Sequence, residues 1–201
     1  VSMTDVAIDM PAGPSEVAIV ADMTCHPEYV AADMLSQAEH GMDSQSILFT
    51  DNEDVARAVL AEVEKQLEAL PRKEMASSSL GHSRIVVLHD MEEAFEICNQ
   101  YAPEHLILAM DTALDWADRV VNAGSVFLGH YSCESAGDYA SGTNHTLPTS
   151  GYAKAYSGVN LDSFCRKITF QHLTREGIES IGRAVEVMAE AESLDAHRNA
   201  M

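Results

Sequence analysis

Several groups of side chains in this 201-residue sequence could do chemistry. Gln37 and His40 stand in the run S-Q-A-E-H-G. At i and i+3 on a helix they would project from one face, a spacing that can chelate a metal ion. Glutamine is a weak, neutral ligand, so chelation would need an anionic or imidazole partner from elsewhere. The plainer alternative is a histidine set against the negative end of a helix dipole. Glu104 and His105 are adjacent in P-E-H. Such a pair can divide acid and base work once the environment brings both groups near neutrality. Adjacent strand residues face opposite ways, so the two share a site only at a strand mouth; otherwise they are a solvated Glu and a satisfied His. Asp138 and His145 are a possible hard ligand and a possible substrate-facing imidazole, or an Asx-turn and a cap. Glu192 and His197 lie near the end of the chain, in what is otherwise an amphipathic acidic tail. Ser15, after G-P, could donate to a substrate or cap an element.

Other chemistries are missing from the pattern. There is no G-x-G-x-x-G after a strand-like run, no P-loop and no G-x-S-x-G. Cys25, Cys98, Cys133 and Cys165 show no C-x-x-C spacing and no adjacent base, which disfavours a zinc ribbon, a redox pair and a thiol nucleophile. Residue types alone therefore reach a Gln/His/Asp/His metal site beside a Glu-His pair.

The elements that must position these groups can be read from hydrophobic period. Asp9–Ser15 is turn-rich. Glu16–Ala21 is an apolar run of strand length, suited to a strand buried on both faces. Pro27 opens a helix through His40, ended by Gly41. Ser46–Thr50 reads as a strand, and Asp51 as the cap of a long helix bearing Val55, Val59, Val63 and Leu67. Pro71 opens a short helix. Arg84–Leu88, His105–Ala109 and Gly124–Leu128 read as strands, with helices at Asp90–Tyr101 and Asp111–Val121 between them. Residues 130–163 have no helical or strand period, yet hold four tyrosines and few charges, as an active-site loop would. Lys167–Phe170 reads as a short strand, Thr174 as the cap of a helix to about Glu192, and a last short helix holds His197. Strand and helix alternation predicts an α/β fold: an incomplete Rossmann-like, doubly wound parallel sheet over residues 1–170, with a helical arm over 171–201. Such sheets hold ligands at the carboxyl ends of their strands.

The net charge is −20, from 32 acidic against 12 basic residues. That argues against a nucleic-acid partner and suits a cationic ligand. No apolar run is long enough to span a bilayer, and no charged-then-apolar leader is present. Scattered cysteines make a reducing, cytoplasmic setting the expectation.

Taken together, I-D-M-P-A-G-P-S-E-V (8–17), A-A-D-M-L-S-Q-A-E-H-G (31–41), Y-A-P-E-H-L (101–106), N-A-G-S-V-F-L-G (122–129), E-S-A-G-D-Y-A-S-G-T-N-H-T-L-P-T-S-G-Y-A (134–153), S-G-V-N-L-D-S-F (157–164) and A-E-A-E-S-L-D-A-H (189–197) resemble histidinol dehydrogenase. They follow that family's order along nearly the whole chain. The resemblance implies oxidation of L-histidinol to L-histidine through histidinal with two NAD+, the last step of histidine biosynthesis. It implies a homodimer with one Zn2+ per active site, bound by Gln37, His40, Asp138 and His197. Glu104 and His105 would be catalytic. Ser15, Gln37, His40, His105, Asp138, His145, Glu192 and His197 would contact substrate, with Glu192 and His197 reaching the site of a second copy. The match covers only the second half of the family protein. The NAD+ site is expected on the missing N-terminal half, so this chain alone would be inactive. Two other readings use the same residues: a non-catalytic, zinc-bridged dimerisation fragment, and a zinc hydrolase with Glu104 as base.

Overall fold

A computed structural model describes residues 10–201; Val1, and the start of the turn-rich stretch at Asp9, lie outside the described residues. Strands β1 (Glu16–Ala21), β2 (Gln45–Thr50), β3 (Arg84–Val87), β4 (His105–Ala109) and β5 (Ser125–Leu128) form one sheet in the order β3-β2-β1-β4-β5. Every pairing is parallel. This is the order of a doubly wound sheet, reversing direction between β1 and β4. β1 and β4 are wholly buried, which is why their sequences are continuous apolar runs rather than alternating ones.

Residue parity splits the core into two layers. Val17, Ile19, Leu48, Ile107 and Phe127 pack against Val30, Met34, Val59 and Val63 of helices α1 (Pro27–Ala38) and α2 (Glu53–Leu67). Ala18, Val20, Phe49, Leu106 and Leu108 pack on the other face against Ala94, Phe95 and Cys98 of the helix Met91–Tyr101.

The remaining elements depart from expectation in detail. α1 ends at Ala38, so His40 sits in the turn beyond it, and the cap is Glu39 in ordinary helical geometry rather than a left-handed glycine. The cap of α2 is Asn52, not Asp51: its Oδ1 accepts from Asp54 N at 2.9 Å and Val55 N at 3.2 Å. Helix α3 (Lys73–Leu80) starts two residues after Pro71, and Met91–Tyr101, here α4, starts one residue after Asp90, which caps it by accepting from Glu93 N at 2.9 Å. Asp111–Val121 is not one helix. It is α5 (Ala113–Trp116) followed by a 3-10 turn, Ala117–Arg119. Asn99 stops it, because its Oδ1 takes the Val121 and Asn122 amides at 2.7 and 3.2 Å.

The stretch 130–163 is not uniformly irregular. It contains α6 (Glu134–Tyr139) and 3-10 turns at Tyr152–Lys154 and Leu161–Phe164. Lys167–Phe170 forms no strand; Phe170 is exposed and no neighbouring strand pairs with it among the described residues.

The described chain divides into two units, the sheet unit up to Phe164 and Cys165–Met201. The second unit holds α7 (Arg175–Ala191), capped by Thr174 through the Gly177 amide at 3.1 Å, and α8 (Asp195–Asn199). Ser193, at φ 62°, turns the chain between them. Leu194 N donates to Ala189 O at 2.8 Å, and Arg198 pairs with Asp195 at 3.4 Å. Ile181, Val187 and Met188 of α7 are exposed. No helix among the described residues is long and apolar enough to cross a membrane.

Candidate active site

The reactive residues of the sheet unit gather at the amino edge of the strands, not at the carboxyl edge where such sheets usually hold ligands. The geometry dictates this. Ser15 precedes β1 and Glu104 precedes β4, and the register sets Val17 beside His105. A helix that follows a parallel strand runs back toward its start, so the end of α1 delivers Gln37 and His40 to the same edge. The segment after β5 also returns there: Ser150 N donates to Glu16 Oε1 at 2.9 Å and Thr149 accepts from Gly13 N at 2.6 Å.

The approach to Glu104 is tightly shaped. α4 closes on Ala102, which holds a left-handed φ of 56° at a cost of about 1 kcal/mol for a residue with a Cβ. Pro103 O and Glu104 O then accept from Gly124 N and Ser125 N, both at 2.9 Å. A Cβ on Gly124 would lie 2.5 Å from Glu104 O, so only glycine lets β5 approach this closely.

Glu104 and His105 therefore sit at a strand mouth, where both serve one site. Glu104 Oε2 accepts from Ser15 Oγ at 2.6 Å and Glu16 N at 2.9 Å. Burial pushes its carboxyl up to about 7, against those two hydrogen bonds, with the neighbouring carboxyls of Glu16 and Asp138 adding to the rise. Glu16 is itself raised by burial; its Oε2 lies 3.2 Å from the Tyr101 hydroxyl, which donates at 2.7 Å to Gln45 Oε1. His105 is 2% exposed and stacks on Phe127, ring centres 6.0 Å apart. Its Nδ1 faces Glu104 Oε2 at 3.6 Å and its Nε2 faces Asp138 Oδ1 at 3.5 Å. Burial lowers its affinity for a proton, and the Asp138 carboxylate opposes that. The ring thus lies between two carboxyl groups.

Beside this pair lies a set of buried polar groups with no hydrogen-bond partner. Both amide atoms of Gln37, both ring nitrogens of His105, both oxygens of Glu134 and Oδ1 of Asp138 are unsatisfied. Gln37 and Glu134 are completely buried. Orphaned polar atoms at this depth cost several kcal/mol together, about 1–3 kcal/mol each, and call for an occupant. One ligand atom each of His40, Glu134 and Asp138 lies within 4.8 Å of the others. A His nitrogen and two carboxylate oxygens are a donor set for a divalent cation, so these residues fit the zinc that the family resemblance implies. Glu134 was not among the residues expected from sequence. Burial, with the carboxyls of Asp138, Asp33 and Glu104, pushes it up to about 9. Burial likewise raises Asp33 to about 6, against a hydrogen bond from the Glu134 backbone.

Not every expected residue joins this set. His145 is exposed on the segment after α6. Glu192 and His197 belong to the second unit, where both are exposed. The turn after β1, where a phosphate would sit, carries no glycine; Asp22 fills it, accepting from Thr24 N at 2.8 Å and Thr24 Oγ1 at 2.5 Å. An anionic pyrophosphate does not fit that turn.

Known proteins resemble this chain along nearly its whole length. The family model described as histidinol dehydrogenase matches residues 1–201. The histidinol dehydrogenase of Bacteroides thetaiotaomicron is 61% identical over 201 residues, which is 100% of this chain and 47% of that protein. The chloroplastic histidinol dehydrogenase of Oryza sativa subsp. japonica is 58% identical over 197 residues, 98% of this chain and 42% of that one. The crystal structure of histidinol dehydrogenase from Elizabethkingia anophelis superimposes with a TM-score of 0.93 at 61% identity, covering 97% of this chain and 45% of that one. The chain spans about half the length of the curated relatives it matches. Across all of that half, the chain belongs to the histidinol dehydrogenase family.

Proposed function

We propose that this chain forms the metal- and substrate-binding part of an enzyme that oxidises L-histidinol to L-histidine through histidinal, the last step of histidine biosynthesis. The observation that carries the reading is the buried, unsatisfied set Gln37, His105, Glu134 and Asp138 beside the Ser15-held Glu104. NAD+ would be held by the half of the family protein that this chain does not span, because the turn after β1 suits no pyrophosphate. A reducing, cytoplasmic setting fits the four free cysteines, two of them buried.

Gln37, His40 and Asp138 would hold Zn2+, with His197 as a further ligand. Bound zinc would supply a positive centre that fixes the substrate's imidazole and amine nitrogens. His105 would take the hydroxyl proton of histidinol at Nε2, the nitrogen turned toward Asp138. Glu104 would take a proton from the water that adds to histidinal, and its raised carboxyl suits a base working near neutral pH. His105 would then take the hydroxyl proton of the hydrate in the second oxidation. Ser15 would orient Glu104 and donate to substrate, and His145 and Glu192 would contact the substrate's cationic end.

A homodimer is part of the same reading. The apolar residues exposed on α7 support an arm that packs on a second copy, carrying His197 and Glu192 to that copy's site. This also supports a second reading, in which the chain by itself is a zinc-bridged dimerisation module. A zinc hydrolase is less favoured, since family membership points to oxidation.

The test uses the full-length protein containing this chain. It should reduce NAD+ only when L-histidinol is present, and His105→Ala should lower kcat by at least about 100-fold. The 201-residue chain alone should give no turnover. Full activity in His105→Ala would sink the assignment of the base.

A further inference from the structure

Glu134 is one of the unsatisfied groups but is not among the zinc-holding residues of the reading above, and its surroundings argue that it belongs there. It opens α6, one helical turn before Asp138, so the two carboxyls share a face. α1 meets that helix closely: Ser36 Oγ and Ser135 Oγ are 3.2 Å apart. Between the two helices, the Glu134 carboxyl is fully buried and neither oxygen is hydrogen-bonded. No side chain or backbone group among the described residues satisfies it. A ligand oxygen of Glu134 lies within 4.8 Å of both His40 and Asp138. Bonds of about 2.0–2.2 Å to a common ion put its ligand atoms about 3–4 Å apart, so a small contraction brings all three onto one centre. The Gln37 amide, three positions before His40 in the chain, is also completely buried and unsatisfied.

We propose that Glu134 is a metal-facing carboxylate of this site, the second anion that balances the divalent charge, alongside Asp138 and His40. This rests on the zinc reading but adds a residue to it. Two carboxylates and a neutral imidazole cancel the charge of a divalent ion. Without the ion, Glu134 is a buried carboxyl with no hydrogen-bond partner, set close to a second carboxyl, Asp138. The residue is therefore costly to the empty protein and useful to the loaded one.

The test is zinc affinity of the full-length protein, measured by competition with a chromophoric chelator, with cobalt(II) absorption as a second readout. Glu134→Gln keeps the shape and removes the charge. Expected are zinc binding weakened by at least about tenfold, an altered cobalt(II) visible spectrum, and a metal-free melting temperature equal to or above that of the parent. Zinc affinity within threefold of the parent, with the cobalt(II) spectrum unchanged, overturns the proposal. Should Glu134→Gln fail to fold, Glu134→Asp keeps the charge but withdraws it by one methylene, and the same threefold criterion applies. His40→Ala separates the two levels of the argument. If the parent takes up zinc and His40→Ala does not, the metal reading stands and Glu134 is judged alone. A parent that takes up no zinc sinks both.

Discussion

Ser15 and Glu104 show what one hydrogen bond does at this site. Burial raises the Glu104 carboxyl to about 7, and the 2.6 Å bond from Ser15 Oγ works the other way by favouring the charged form. A base must be deprotonated to act, so activity should rise with pH through neutrality. Ser15→Ala removes the opposing bond, and the carboxyl should move higher still. The acid limb of kcat/KM against pH should shift upward by about 0.5–1 unit, leaving several-fold less activity at pH 7. A limb that stays put, or moves down, would show that Ser15 does not hold Glu104. The pair Glu104-His105 was legible because adjacent acid and base types stand out before an apolar strand. Glu134 was not: a lone Glu in a Ser- and Gly-rich stretch carries no spacing signal until that stretch is known to be helical. Only then does E-x-x-x-D put two carboxyls on one face.

α6 carries that face, and one glycine seats it. A Cβ on Gly137 would fall 2.4 Å from Phe127 Cε1 and 2.6 Å from Cζ, and Phe127 also stacks on His105. Gly137→Ala must therefore push α6 off β5 or tilt the ring against His105. Overpacking of this kind costs about 1–3 kcal/mol, or about 2–10 °C in melting temperature for a chain of this size. Glu134 and Asp138 ride on α6, so zinc affinity should fall by more than tenfold as well. Unchanged melting and unchanged zinc affinity would mean that α6 is free to move. The sheet was legible from sequence for a related reason: β1 and β4 are buried on both faces, which leaves unbroken apolar runs. α6 escaped because six residues including Ser135 and Gly137 give too little period to read. The 3-10 ending of α5 escaped because its cause, the Asn99 side chain, is distant in sequence. The Lys167–Phe170 run has strand-like types, but a strand needs a neighbour to pair with, and sequence types alone do not supply one.

At the scale of the whole molecule, the same carboxyls make stability depend on pH in an unusual direction. Glu104, Glu134, Asp33 and Glu16 all hold protons more tightly folded than unfolded. Such groups add stability below their unfolded range, near 4–4.5, and lose it as pH rises through their folded values. For Glu104 that is near 7 and for Glu134 near 9. A net charge of −20 pulls the same way, since self-repulsion grows as carboxyls ionise. A bound cation reverses the trend. It needs the carboxylates ionised, so affinity rises with pH while intrinsic stability falls. At a free zinc level 1,000 times Kd the gain is about 4 kcal/mol. Metal-stripped full-length protein should therefore melt progressively lower from pH 5 to pH 8, by about 5–10 °C. The upward shift on adding zinc should widen over the same interval. Calorimetry at pH 5, 6, 7 and 8, with and without zinc, measures both trends. A metal-free melting temperature that climbs across this range would mean that the buried carboxyls are neutralised by some other group, and the site would not be built for a cation.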